Sequence, residues 1–451
     1  MALGKRKREQ QEMWVATTDL PRSPGHVFYQ KLDALLAEAE FDEQMEHLCE
    51  PYYAATGPGR PGIPPGVSFR MLMVGYFEGL DSQRGIAWRC ADRLSLREFL
   101  GVSPTEETPD HSSLTRIRQR LPLAVHEEMF VIVLSIADGQ GLLRGKTVAV
   151  DATTLEANAA LKAIIRHDTG DDWKEYLRKL IAEEEGNEDP TDDELRRLDR
   201  KRKNKRVSNA EWQSPTDPES RVIKIKDGRT RLGYKAEHAV DLDTELVLSA
   251  RVYHGDRSDS DTVSHTLDGV IRNVIRAKGD ANLQEVVLDK DYYATETLAA
   301  LEFDEGLRTY VSEPKHKRRR WKGKPEEHPA AVYNNRRRTR GVRGRALHRK
   351  RSELVERSFA HVCNTGGARR TWLYGLEKIN KRYLVHLAAH NLAVVMRKLL
   401  GFGKLRCLQL DGGLACLCYC YTISLWSRLI AHLRLVTPQA PYWSPNLTAA
   451  A

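Results

Sequence analysis

Apolar residues recur at helical spacing through the first third of the chain. Between residues 26 and 143 they return every three or four positions, as in Phe28, Leu32 and Leu35. This spacing places them on one face of an α-helix. The pattern predicts an all-α N-terminal domain over residues 26–143, preceded by a basic tail over residues 1–25.

The pattern changes at residue 144, where short apolar runs and strict alternation replace the helical spacing. Short runs end at Asp151 and Asp289, and alternation on both sides of a short turn predicts a β-hairpin. Helical stretches separate these strands, so an α/β fold is expected over residues 144–400, with a mixed five-stranded sheet flanked by helices. The predicted strands are 147–151, 233–241, 246–252, 285–289 and 307–311.

Two segments differ from this α/β region in residue composition and hydrophobic pattern. Residues 168–209 are highly charged and carry a narrow apolar stripe, including Trp173 and Leu177, which predicts one or two exposed helices in an insertion. Residues 401–451 form a divergent C-terminal tail. Its four cysteines and His432 match no usual zinc-ligand spacing.

Composition fits a folded globular protein whose positive charge is concentrated in one segment. The 451 residues are 41% hydrophobic and 29% charged, with a net charge of +9. Residues 315–351 contain sixteen Lys or Arg and two acidic residues, so the remainder of the chain is net negative. A polyanion is the natural partner of such a segment. A disordered basic linker is the alternative interpretation.

A second basic feature follows the helix-start residues Thr108 to Ser112. The helix predicted there displays Arg116, Arg118 and Arg120. It fits a DNA-contacting helix-turn-helix element and equally a solvated basic face.

The scattered cysteines and the hydropathy pattern constrain the location of the protein. Seven cysteines without a framework spacing indicate a reducing compartment. The longest uncharged stretch, residues 412–427, is shorter than the ~20 residues of a membrane span. A cytoplasmic protein without a membrane segment or secretory signal is expected.

Three acidic residues stand where a phosphodiester-cleaving metal site would need them. Asp151 and Asp289 follow buried strands, and Glu356 lies in a predicted helix directly after the basic segment. Two Mg²⁺ ions about 4 Å apart can activate a nucleophile and stabilise the leaving oxygen of a phosphodiester. Mg²⁺ prefers oxygen ligands and is often held by a few carboxylates. An Asp after a strand is also a common turn cap, so the interpretation depends on all three residues together.

At these motifs the sequence resembles the insertion-sequence DDE transposases, which have an RNase H-like catalytic domain and an InsH-type helical N-terminal domain. The resemblance extends over nearly the whole chain to about Leu400. The matching segments, in chain order, are Pro61-Gly62-Ile63-Pro64-Pro65 with Gly75-Tyr76, Thr108-Pro109-Asp110-His111-Ser112, Val150-Asp151-Ala152-Thr153, Gly233-Tyr234-Lys235-Ala236, Leu288-Asp289-Lys290-Asp291-Tyr292-Tyr293 and Val355-Glu356-Arg357-Ser358-Phe359.

The resemblance implies a transposase that cuts and joins the terminal inverted repeats of its element and target DNA. It implies Asp151, Asp289 and Glu356 as catalytic and metal-binding residues, with two Mg²⁺ per active site, replaceable by Mn²⁺. Because two element ends must be joined, a homodimer is expected in the complex with double-stranded DNA, at the nucleoid of a bacterial-type cytoplasm. The residues expected to contact DNA are Arg116, Arg118, Arg120, Lys315, Lys317, Arg318, Arg319, Arg320, Arg336, Arg337, Arg338, Arg349, Arg351 and Arg357.

The chain departs from the family pattern around two of the acids. Asp291 stands where the family usually has Gly, and the basic helpers around the Glu are replaced by Arg349, Ser352 and Cys363. Glu353 is the rival third ligand. An inactive, DNA-binding relic or repressor and a nuclease without strand transfer are the alternative functions.

Overall fold

The computed structural model describes residues 15–16, 19–20, 23–54, 62–186, 189–201, 208–225, 228–315 and 320–403. The predicted helical N-terminal region is confirmed, with seven α-helices between residues 24 and 139 of the described chain. Their bounds are α1 Pro24–Glu38, α2 Phe41–Cys49, α3 Pro65–Glu78, α4 Gln83–Asp92, α5 Leu94–Phe99, α6 His111–Arg120 and α7 Leu123–Gly139.

Helix α6 begins where its capping residue predicts. The Asp110 carboxylate accepts a hydrogen bond from the backbone N–H of Ser113 at 2.8 Å, which satisfies a free donor of the first turn. This bond is the main reason that the pKa of Asp110 falls to about 2.

The main sheet has six strands instead of the predicted five. The extra strand, β4, pairs antiparallel with the start of β5. The sheet runs β4-β5-β1-β7-β8, and β6 pairs with β5 on the same side as β4. The bounds are β1 Thr147–Glu156, β4 Arg221–Lys224, β5 Thr230–Asp241, β6 Val247–His254, β7 Glu285–Leu288 and β8 Arg308–Val311.

Strand β1 continues past the predicted end at Asp151. It pairs antiparallel with β5 as far as Glu156, whereas its parallel pairing with β7 stops at Val150, opposite Leu288. Asp151 and Asp289 each come directly after this last pair, on two neighbouring parallel strands. The sheet itself brings these two acids, far apart in sequence, side by side.

Helices cover both faces of the sheet. Helix α10, Asp259–Lys278, packs against the face that carries Lys235 and Glu237. Helices α13, Val342–Phe359, and α14, Leu376–Leu400, cover the face that carries His238. The short α11, Thr295–Ala299, and α12, Glu327–Arg340, complete the α/β part.

The basic segment 315–351 is largely helical where it is described. Helix α13 begins at Val342, ten residues before the predicted start, and α12 precedes it. Arginine and lysine are good helix formers, so a run rich in them is compatible with helix despite its charge. The interpretation as a disordered linker is wrong for these two helices.

The charged insertion folds into its own small unit. Helices α8, Trp173–Glu185, and α9, Asp192–Lys201, bury Leu177, Ile181 and Leu195 against each other. Two short strands, β2 Ile165–Arg166 and β3 Trp212–Gln213, pair at its base. The predicted exposed helices are confirmed.

The N-terminal helices share one hydrophobic core with the sheet region. Helices α3 and α7 both pack on α14, and the buried Tyr76 hydroxyl lies 3.1 Å from Nδ1 of His390. The proposed boundary at residue 143 therefore does not separate two cores. Among the described helices, none combines the length and apolarity that a membrane crossing requires. The cysteines of the C-terminal tail lie outside the described residues.

Candidate active site

Asp151 and Asp289 present their carboxylates to the same place beside the sheet. Each accepts a hydrogen bond from the next backbone N–H: Ala152 N–H at 2.8 Å and Lys290 N–H at 2.7 Å. These local bonds fix one oxygen of each carboxylate. Both side chains keep solvent access, at 25% and 36% of their surface.

Arg351, on α13, joins the two carboxylates. Its Nη1 donates to Asp151 Oδ2 at 2.7 Å, and its Nη2 lies 3.7 Å from Asp289 Oδ1. The side chain is only 12% exposed, and its buried Nε has no hydrogen-bond partner. One cationic group therefore already lies between the two predicted metal ligands.

Glu356 does not join this pair in the described structure. It is exposed and lies five positions after Arg351 on α13, about 140° around the helix axis at 3.6 residues per turn. Among the described residues, no group of three His, Cys, Asp or Glu side chains is placed to hold a metal ion. The structure brings together two of the three predicted acids.

The rival acid Glu353 has a different environment. Arg357 donates to both Glu353 and Glu245, the latter at 3.0 Å. Glu245 lies in the β5–β6 turn with φ of 70° and also pairs with Arg397 and Lys398 of α14. Glu353 is thus an ion-pair partner in a cluster that fixes α13, on the side away from Arg351.

Asp291 causes no backbone strain at the position where the family usually has Gly. Residues 290–292 form one turn of 3-10 helix, and Asp291 is not among the described residues with positive φ. The Asp291 side chain is exposed. The turn after Asp289 therefore does not require Gly in this chain.

The neighbouring Tyr292 anchors the turn that carries Asp289. Its hydroxyl donates to Glu237 at 2.8 Å, and burial raises its pKa well above the usual value. Glu237 is fully buried and also accepts from Thr262 and Thr266 of α10, while Lys235 lies 3.4 Å away. Sequence reasoning missed this network, although the alternation of Lys235 and Glu237 in the hairpin places both on one face.

On the opposite face, His238 is the cross-strand neighbour of Asp151. It is fully buried, stacks on Phe359 and bonds to Ser358 and Tyr383 through its two ring nitrogens. Burial lowers its pKa to about 3, so the ring is neutral. It connects β5, the strand that pairs with the strand of Asp151, to α13 and α14.

The predicted DNA-contacting residues fall into three groups. Lys317, Arg318 and Arg319 lie outside the described residues. Several others already bind protein groups. Arg118 is buried over the Trp372 ring, so its predicted contact with DNA does not fit this structure. Arg336 pairs with Glu313, and Arg338 pairs with Glu302. Arg120 is exposed and lies over the Tyr53 ring. The remaining exposed members are Arg116, Lys315, Arg320, Arg337 and Arg349.

Comparison with known families agrees with this arrangement of helical region and sheet. A family model described as a transposase DDE domain matches residues 144–392, more than half of the chain. The chain belongs to the insertion-sequence DDE transposases. A second family model, a transposase domain (DUF772), matches residues 18–120 of this transposase. No curated protein and no solved structure matches the chain.

Membership of this family implies a divalent metal, and two residues of the transposase fit one. Carboxylate oxygens are the ligands that Mg²⁺ prefers, and one guanidinium reaches both aspartates, so they lie close enough to share a cation. Glu356 fits only after α13 or its side chain moves, because it now lies on the exposed flank of the helix.

Proposed function

We propose that this transposase catalyses metal-dependent cleavage of insertion-sequence ends and their transfer to target DNA. The observation that carries the proposal is the convergence of Asp151 and Asp289, from neighbouring parallel strands, on one cationic group. The family match supports the same chemistry. Asp151, Asp289 and Glu356 are the proposed ligands.

In this mechanism the protein supplies position and charge. Two bound Mg²⁺, or Mn²⁺ in their place, would activate the attacking oxygen and stabilise the leaving oxygen. Asp151 and Asp289 hold their carboxylates in place through the sheet and the adjacent backbone N–H groups. Glu356 completes the ligand set when α13 adjusts on binding DNA.

The proposed substrate is double-stranded DNA, both terminal inverted repeats and target. Exposed arginines of α6, α12 and α13, such as Arg116, Arg337 and Arg349, supply contacts to phosphate. Since two ends are joined in one reaction, we propose a homodimer in the DNA complex, acting at the nucleoid in the cytoplasm.

The test is cleavage of end-containing DNA with Mg²⁺ by matched pairs of variants. Asp151→Asn, Asp289→Asn and Glu356→Gln should each lower cleavage by about a thousandfold or more, since each removes a metal-binding charge. Asp291→Asn and Glu353→Gln, which change the neighbouring acids in the same way, should retain activity within about tenfold. Substantial cleavage by any of the first three variants would remove that residue from the site.

One observation favours a second candidate, an inactive DNA-binding relic or repressor. Glu356 is exposed, and Arg351 already forms ion pairs with both aspartates. A wild-type protein that binds the element ends but neither cuts nor joins them with Mg²⁺ or Mn²⁺ would establish this alternative. Cleavage without joining would indicate a nuclease.

A further inference from the structure

Arg351 occupies a position where its charge competes with any cation for the two aspartates. Its two terminal nitrogens reach Asp151 and Asp289, while its Nε is buried with no hydrogen-bond partner. The aspartates are therefore the main polar partners of this guanidinium. Without it, two neighbouring carboxylates would repel each other in the empty site.

We propose that Arg351 is a resident counter-ion that holds Asp151 and Asp289 together in the DNA-free transposase and must leave them when a divalent cation binds. The proposal rests on the proposed metal-binding role of the two aspartates. A guanidinium and a metal ion both bind carboxylate oxygens, so each lowers the affinity of the site for the other. The DNA-free protein is thereby kept in a metal-poor state.

The position of Arg351 on α13 connects this exchange to the third acid. Glu356 lies on the same helix, which is also held near its end by the ion pair of Arg357 with Glu245. Release of Arg351 removes one of the contacts that fix the orientation of α13 on the sheet. The same event thus frees the helix to bring Glu356 toward the aspartates.

The first test measures Mn²⁺ affinity of the DNA-free full-length protein, by electron paramagnetic resonance of unbound Mn²⁺. Arg351→Met should raise the affinity by about tenfold or more, because a positive charge leaves the site. Arg345→Met is the matched control: it removes an exposed arginine of the same helix and should leave the affinity within about twofold. Unchanged or weaker Mn²⁺ binding by folded Arg351→Met overturns the proposal.

A second measurement uses the wild-type protein and does not depend on the variant folding. Modification of individual arginines by phenylglyoxal is followed by peptide mass spectrometry. Since Arg351 is 12% exposed, saturating Mg²⁺ should accelerate its modification several-fold while Arg345 reacts at a constant rate. An unchanged rate at Arg351 contradicts its displacement.

Failure of the proposal can be told apart from failure of the proposed function. Both measurements are made without DNA and without turnover. A protein that shows the expected Mn²⁺ affinities but cleaves no DNA retains the counter-ion role and loses the proposed activity. A protein that cleaves DNA while Arg351→Met binds Mn²⁺ no more tightly retains the activity and loses the counter-ion role.

Discussion

At the scale of single residues, His238 shows how a buried polar group is accommodated beside the site. Ser358 Oγ donates to the Val355 carbonyl at 2.8 Å, so it accepts from His238 Nδ1–H at 2.9 Å. Nε2 then accepts from the Tyr383 hydroxyl at 2.7 Å. Both ring nitrogens are satisfied in this neutral form, and burial, which disfavours the charged ring, lowers the pKa of His238.

This arrangement predicts a stability that falls in mild acid. The pKa of His238 is about 3 in the folded protein and near 6.5 in the unfolded chain, so between these values only the unfolded state takes up the proton. The contribution of His238 to the free energy of unfolding is fully present above pH 6.5. Below that pH, this residue lowers the free energy of unfolding by about 1.4 kcal/mol per pH unit. Urea unfolding at pH 7 and pH 5 measures the decrease.

His238→Gln is the control, because Gln keeps a donor and an acceptor but does not titrate. Between pH 7 and pH 5, the free energy of unfolding of this variant should fall by about 1–2 kcal/mol less than that of the wild type. His126, whose pKa is lowered to about 4, remains in both proteins, so the difference reports His238 alone. Identical pH dependence of the two proteins would contradict the prediction.

Some residues of the candidate site are recognisable from sequence and others are not. Asp151 and Asp289 stand out because each follows a run of buried-type residues. Arg351 was expected to contact DNA, since a charge run does not reveal which of its members turns inward. Its contact with the aspartates depends on how α13 crosses the sheet, and that crossing is set by packing.

At the scale of elements, Gly233 allows three strands to meet. It pairs with Glu156 of β1 on one side and Arg221 of β4 on the other. A Cβ at this position would lie 2.4 Å from the Leu155 carbonyl oxygen and 2.5 Å from Ile223 Cδ1. The backbone oxygen has no room to move within the paired strands. The Gly in the Gly-Tyr-Lys-Ala motif is therefore required by strand packing.

Gly233→Ala should destabilise the protein by about 2–4 kcal/mol, because the strands must separate to admit the methyl group. Gly139→Ala is the control: Gly139 ends α7, and a Cβ there meets nothing within 4 Å. It should change stability by less than about 1 kcal/mol. Chemical unfolding of both variants measures the effect, and equal stability of the two would show that the strands adapt.

The element predictions succeeded where one physical signal dominated. Alternating residues identified the hairpin of β5 and β6, and helical spacing identified the helices of the N-terminal region. The predicted start of α13 was late, because the charged run before residue 352 hides its apolar positions. Strand β4 was missed because its four residues are too few to show a clear alternation of apolar and polar positions.

At the scale of the whole molecule, fewer positively charged side chains are available to bind DNA than the sequence suggests. The segment 315–351 is strongly basic, yet several of its arginines bind acids of the protein itself. Exposed members such as Arg337 and Arg349 remain accessible to a phosphate backbone. DNA affinity should therefore depend on a subset of the basic residues.

Arg337→Ala and Arg349→Ala should each weaken binding to any DNA sequence and lower the slope of log affinity against log salt by about 1. Arg118→Met should leave the slope unchanged, since this arginine is buried over Trp372. Fluorescence anisotropy over a range of salt concentrations measures the slopes. A reduced slope for Arg118→Met would mean that the buried arginine reaches DNA after a rearrangement.

The sequence by itself determined the class of fold, the family and the two strand-borne aspartates, because these depend on local periodicity and short motifs. Only the tertiary structure decided the six-stranded sheet, the core shared by the N-terminal helices and α14, and the place of Arg351 between the acids. It also decided that Glu356 lies apart from them. These features arise from contacts between distant segments, whose geometry is fixed by packing and is not encoded in any local pattern.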